Sequence, residues 1–229
     1  MVRKGNNSKN RSRNRVFVKN PVSAGLTIAH VRAALRGPLP GPRAQITMAP
    51  RPRPLNPFPG VQPRQAGVLL LLYPIHTALH LVLTVRTSDL NHHSGQISLP
   101  GGGWEEGDTS LQATALREAQ EEIGIATGRL ELLGALTPFY VPPSNNVVHP
   151  FVAYAPQRFV FRPDPREVAE LLEVPLHLLL DPATRREEDW MRRGTTLHVP
   201  FYAVGERKVW GATAIVLAEF LALLTRSPA

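Results

Sequence analysis

The chain has 229 residues, 43% of them hydrophobic, no cysteine and a formal net charge of +8 at pH 7. That is enough for one domain with a sizeable core plus extensions, and the lack of cysteine excludes a disulfide framework or a thiolate metal site. No apolar run reaches membrane-spanning length and the first twenty residues are too polar for a secretory signal, so the expectation is a cytoplasmic chain with no membrane partner.

Residues 1–88 carry fourteen Lys or Arg and no acid, whereas residues 89–229 carry the other twelve bases and all eighteen acids. Seven of the early bases fall in residues 1–20 among Asn, Ser and Gly. Such a segment cannot bury apolar surface, so a disordered basic tail is expected there. Nonspecific nucleic-acid contact is open to it, but a solvated tail is the favoured reading. Residues 21–66 follow as an N-terminal helix, with apolar Leu26, Ile28, Val31 and Leu35 at helical spacing, and then a Pro- and Arg-rich arm expected to be extended. From residue 67 onward the chain reads as the main domain. Gly67–Tyr73 and Leu79–Arg86 are apolar strands joined as a hairpin, and Gln96–Leu99 is a short strand leading into Pro100-Gly101-Gly102-Gly103. Thr109–Ile123 reads as a helix, Leu130–Leu136 and Val147–Tyr154 as strands. Arg166–Glu173 and Leu176–Leu180 read as helical pieces broken at Pro175. Leu197–Val204 is a strand paired with Lys208–Trp210, and Ala212–Leu224 is a packed terminal helix. Strands interleaved with few helices imply an α/β fold with a mixed sheet between helices.

The chemistry is concentrated in Gly101–Ile125. Glu118, Glu121 and Glu122 are spaced i, i+3, i+4 and share one face of a helix. Like charges packed together repel, so the cluster makes sense around a divalent cation; Mg²⁺ takes carboxylate oxygens together with substrate phosphates. The glycines before it let backbone approach a ligand closely. Flanking Ala115, Ala119 and Ile123 give the helix a packed side, which argues against a merely solvated acidic face. Ser94 and Ser98 have no histidine and acid arranged around them, so a nucleophilic serine is not indicated, and no H-x-x-x-H spacing suggests zinc.

This segment resembles the Nudix box, G-x5-E-x7-R-E-U-x-E-E-x-G-U. Gly103, Arg117, Glu118, Glu121, Glu122, Gly124 and Ile125 fall on the pattern. Thr109 stands where the box has its first glutamate, the usual partner of its arginine, and Asp108 is the nearby acid that could serve Arg117 instead. Ala119 stands at the first aliphatic position. Upstream, Leu83–Gly102 is similar to the extra signature of Nudix enzymes that cleave coenzyme A, with Leu83, Thr84, Arg86, Gly95, Pro100, Gly101 and Gly102 matching and Asn91 replacing an arginine.

The resemblance implies an α/β/α Nudix sandwich and a pyrophosphohydrolase, the coenzyme A pyrophosphatase-like subfamily being favoured. In it Glu118, Glu121 and Glu122 would hold Mg²⁺ or Mn²⁺. Glu121 is chosen as the group that also orients or deprotonates the attacking water, and Arg117 would hold the glutamates in geometry. Arg86, His92, Gln96, Gly101 and Gly102 are the expected contacts of a small anionic substrate. Rival readings are ADP-ribose, dinucleotide or nucleoside-triphosphate substrates, or a noncatalytic Nudix-like binding module. A homodimer is left open.

Overall fold

The computed structural model describes residues 26–54, 56–57, 59–87, 95–192 and 194–226. The basic tail and the segment holding Asn91, His92, His93 and Ser94 lie outside the described residues.

Helix α1 spans Ile28–Leu35, and α2 (Pro42–Gln45) runs into a 3₁₀ turn at Ile46–Met48. Strands β1 (Arg64–Ile75) and β2 (Ala78–Arg86) form the expected hairpin, turning at His76 and Thr77. Next come β3 (Ile97–Ser98), β4 (Gly101–Gly103), α3 (Leu111–Ile123), β5 (Glu131–Ala135), β6 (Phe139–Val141) and β7 (Asn146–Tyr154). The chain closes with β8 (Val168–Pro175), α4 (Leu176–Leu180), β9 (Arg185–Arg192), β10 (Thr195–Val204), β11 (Arg207–Trp210) and α5 (Gly211–Leu224).

The main sheet is mixed. Its path runs β3-β2-β1-β7-β5, with β4 on β1, β6 on β7 and β8 on β2, while β11-β10-β9 form a second sheet. β1 is parallel to β7 from Arg64↔Asn146 to Leu72↔Tyr154 and antiparallel to β2. Its run Leu69–Tyr73 is fully buried, which is why it reads as unbroken apolar sequence instead of alternating. Alternate side chains serve two cores. Leu69, Leu71 and Tyr73 pack with Ala115, Ala119 and Ile123 of α3, while Leu70 and Leu72 join the cluster that includes Val216, Leu217 and Phe220 of α5. The sheet is thus covered by helices on both faces. Among the described residues no helix is long and apolar enough to cross a membrane.

Two expectations are corrected. Arg166–Glu173 is not helical; Val168–Pro175 is the edge strand β8, antiparallel to β2 from Arg86↔Val168 to His80↔Pro175. The Glu, Ala and Leu of this stretch favour helix, but pairing with the buried strand β2 overrides so weak a preference. The arm is not simply extended either. It folds through α2 and the 3₁₀ turn and enters the core, with Met48 fully buried and Gln45 5% exposed. Its anchor is Glu219 of α5, also fully buried. The Glu219 carboxylate accepts hydrogen bonds from Gly41 N–H (3.1 Å), Gln45 Nε2 (2.8 Å) and Thr137 Oγ1 (2.7 Å). A buried carboxylate so supplied with donors holds arm, helix and the β5–β6 loop together.

Helix α3 is seated on β1 at Gly67. A Cβ there would lie 2.3 Å from Leu111 O and 2.9 Å from Ala115 N, both backbone atoms of the helix. Gly67→Ala should therefore lift α3 and cost about 1–3 kcal/mol, the usual price of overpacking. Urea denaturation checks this; an unchanged midpoint would show that the contact is not tight.

Candidate active site

The expected helix begins two residues late, at Leu111. Its N-cap is Ser110, whose hydroxyl accepts from Ala113 N–H at 3.1 Å; such a bond satisfies one of the free amides of a first turn. Gly124 ends it in the left-handed region at φ 67°. The glycine loop is itself a strand: β4 pairs antiparallel with Ala66–Val68 of β1. Gly101 has φ 152°, and a Cβ there would lie 2.4 Å from Gly67 O, so only glycine fits.

Loop and helix meet through the glutamates. Glu122 is 2% exposed. Its Oε2 accepts from Gly101 N–H at 3.3 Å, and its Oε1 stands 3.6 Å from Arg86 Nη1. Glu118 lies against Gly102, where a Cβ would come within 2.3 Å of its Oε1. Burial raises the pKa of Glu118, opposed by the Arg117 guanidinium. Glu121 is the exposed member, at 54% for its side chain.

Arg117 is the hub beneath them. It donates through Nε and Nη2 to both oxygens of Asp108 (3.0 and 3.1 Å), through Nη2 to Gly103 O (3.1 Å) and through Nη1 to Glu121 (2.9 Å); Glu118 Oε1 lies 3.1 Å from Nη2. Asp108 also accepts from Thr114 Oγ1 at 2.8 Å. The guanidinium holds the Asp108 carboxyl well below the usual carboxylate range. Asp108 thus occupies the partnership that the glutamate missing at position 109 would have filled.

The glutamates share a helix face but do not converge: among the described residues no group of three acidic or histidine side chains is gathered for a metal ion. Arg117 draws Glu121 sideways as its ion-pair partner. The donor set is nonetheless of the type a hard cation takes, and Glu118 and Glu122 are half-buried and buried carboxylates whose neighbours only partly compensate their charge.

The structure adds one acidic group that the sequence reading missed. Glu167 acts on both Glu118 and Glu122, raising the pKa of each. It lies in the turn before β8, fixed by Thr87 N–H donating to Glu167 O at 3.0 Å. Nothing in local spacing signals a carboxylate this far along the chain, and the helix expected over Arg166–Glu173 pointed away from it. Of the remaining expected residues, Gln96 stands before β3 beside a cavity, and His92 lies outside the described residues. His149 is paired with Gln65, its Nε2 at 2.8 Å from Oε1, in keeping with a satisfied strand histidine.

Glu122 gives the site a pH signature. Burial pushes its carboxyl up to about 8, partly offset by Arg86 and the Gly101 N–H. The folded protein keeps a proton that the unfolded chain releases near its ordinary value of 4.5. The contribution to stability is full below that value and is lost as pH rises to about 8, because over this window the unfolded state binds fewer protons. The loss is on the order of a few kcal/mol at most. In metal-free buffer, urea unfolding of the wild type should weaken between these pH values, and Glu122→Gln should flatten the decline. An equal decline in the variant would assign it to another group.

The fold and site together define an α/β/α sandwich in which a glycine strand and an acidic helix form one unit. The NUDIX domain family model matches residues 63–194. The chain is 36% identical over 179 residues to the uncharacterized Nudix hydrolase NudL of Photorhabdus laumondii, covering 77% of this chain and 91% of that protein. It is 35% identical over 174 residues to the chloroplastic Nudix hydrolase 22 of Arabidopsis thaliana, covering 73% of this chain and 57% of that longer protein. Among solved structures, the Nudix hydrolase RenU of M. smegmatis is similar at 24% identity and TM-score 0.44, covering 52% of this chain and 74% of that one. The chain belongs to the Nudix family. It is a Nudix pyrophosphohydrolase with the mixed-sheet sandwich of that family, acting on pyrophosphate bonds of small nucleoside diphosphate derivatives.

Proposed function

We propose that this enzyme cleaves the pyrophosphate of coenzyme A, giving 3′,5′-ADP and 4′-phosphopantetheine, with Mg²⁺ or Mn²⁺ held by Glu118, Glu121 and Glu122. The observation that supports the reading is that the described ends of the stretch resembling the coenzyme A signature meet the glutamates of the box. Arg86 of the signature faces Glu122 at 3.6 Å, Gly101 donates to the same carboxylate, and Gly102 makes room for Glu118. A bound cation would neutralise pyrophosphate charge and make a coordinated water more acidic.

The chain's own residues supply the rest. Arg117, anchored on Asp108, fixes the spacing of Glu118 and Glu121. Glu121, exposed to solvent, would take a proton from the attacking water. Arg86 and the Gly101–Gly102 backbone border the place where phosphate would lie. A hydrolysis screen with Mg²⁺ and with Mn²⁺ tests the substrate: coenzyme A should exceed ADP-ribose, NADH and nucleoside triphosphates in kcat/KM. Faster cleavage of ADP-ribose would overturn the coenzyme A assignment and leave the pyrophosphohydrolase assignment standing.

A further inference from the structure

Between the N-terminal arm and the strand that feeds the glycine loop lies a cavity of about 300 Å³, at the lower end of the range for small-ligand pockets. Its walls are largely apolar, with Pro52 from the arm, Pro143 from the β6–β7 connection and Trp210 at the end of β11. Ser98 of β3 also lines it. Gly101, whose N–H meets Glu122, follows three residues later, a span of no more than about 11 Å. The strand that lines the cavity therefore leads directly into the glycine strand of the glutamate site.

Two guanidinium groups border this space, Arg53 and Arg192, and among the described residues no Asp or Glu does. Arg53 is half-buried and donates to backbone carbonyls, those of Tyr140 and Pro54. Burial lowers its pKa with no carboxylate opposing the effect. Arg192 lies over the Trp210 ring at 5.4 Å. Among the described residues neither arginine has an acidic partner. Arg53 is the desolvated one of the two; such a cation without a counter-charge is costly, and an anionic group entering the cavity would relieve it. The planar fork of arginine suits a phosphate in particular.

We propose that this cavity receives the 3′-phosphoadenosine end of the substrate, with Arg53 and Arg192 on the 3′-phosphate and the apolar walls against the nucleoside. The assignment rests on the coenzyme A reading and deepens it. The other half of coenzyme A, the pantetheine arm, is uncharged and would leave both guanidinium groups unpaired. The pairing also restores, from the arm and β9, the positive charge that Asn91 does not carry.

Calorimetric titration of the full chain with adenosine 3′,5′-bisphosphate and with adenosine 5′-monophosphate tests this. The wild type should prefer the bisphosphate. Arg53→Gln and Arg192→Gln should each weaken the bisphosphate by about ten- to a hundredfold and the monophosphate by less than about twofold. Arg192 is exposed, so its variant decides the matter if loss of the Arg53 contact to Tyr140 perturbs folding. No preference in the wild type, a preference surviving substitution, or equal weakening of both ligands would overturn the assignment. Coenzyme A hydrolysis by the wild type is read separately: its absence would defeat the functional reading, while the binding preference alone decides the cavity.

Discussion

Glu121→Gln or Glu122→Gln lowers kcat by roughly 10²–10⁴-fold, the range for removing a positioned acid–base or metal-holding group. Glutamine keeps the shape and one acceptor oxygen of glutamate but not its charge. Glu121 is exposed, so its loss leaves the core untouched. Glu122 is buried, and an amide oxygen in its place can still accept from Gly101 N–H. Both variants should therefore fold, and steady-state kinetics alongside circular dichroism separates activity from stability. Near wild-type turnover in both would place the reacting centre elsewhere.

The second large effect is expected from Gly102→Ala. The added Cβ would fall 2.3, 2.4 and 2.6 Å from Glu118 Oε1, Cδ and Oε2. These atoms are the tip of a flexible side chain, so the carboxylate moves and the backbone does not. Displacing a reacting-site group by about 1 Å can cost on the order of 10²-fold in rate, whereas stability should change by no more than about 0.5 kcal/mol. Gly67→Ala differs in that it should cost stability, because its Cβ meets helix backbone. If Gly102→Ala retains full activity, Glu118 does not need the position that the glycine allows.

This contrast marks what the sequence could and could not reveal. The α3 helix, the hairpin, the glycine loop and the terminal helix are local patterns, with caps, spacing and apolar runs all contained within a few residues. Asp108 was legible as the partner of Arg117 because it stands one residue from the position the box reserves for that partner. The arm's docking was not, since it depends on Glu219 meeting Gly41 and Gln45 from far along the chain. Strand β8 was misread because its residues favour helix locally and only its pairing with β2 makes it a strand. Glu167 was hidden by the same error. The shared face of the three glutamates followed from helical periodicity, but their unequal burial and the pull of Arg117 on Glu121 come from tertiary packing.

The most direct measurement of the central claim is phosphorus NMR of coenzyme A incubated with the full chain and Mg²⁺ or Mn²⁺. Pyrophosphate resonances should give way to phosphomonoester resonances of 3′,5′-ADP and 4′-phosphopantetheine, and EDTA should stop the conversion. Pyrophosphate resonances that persist with both metals, or that vanish equally in EDTA, would contradict the account.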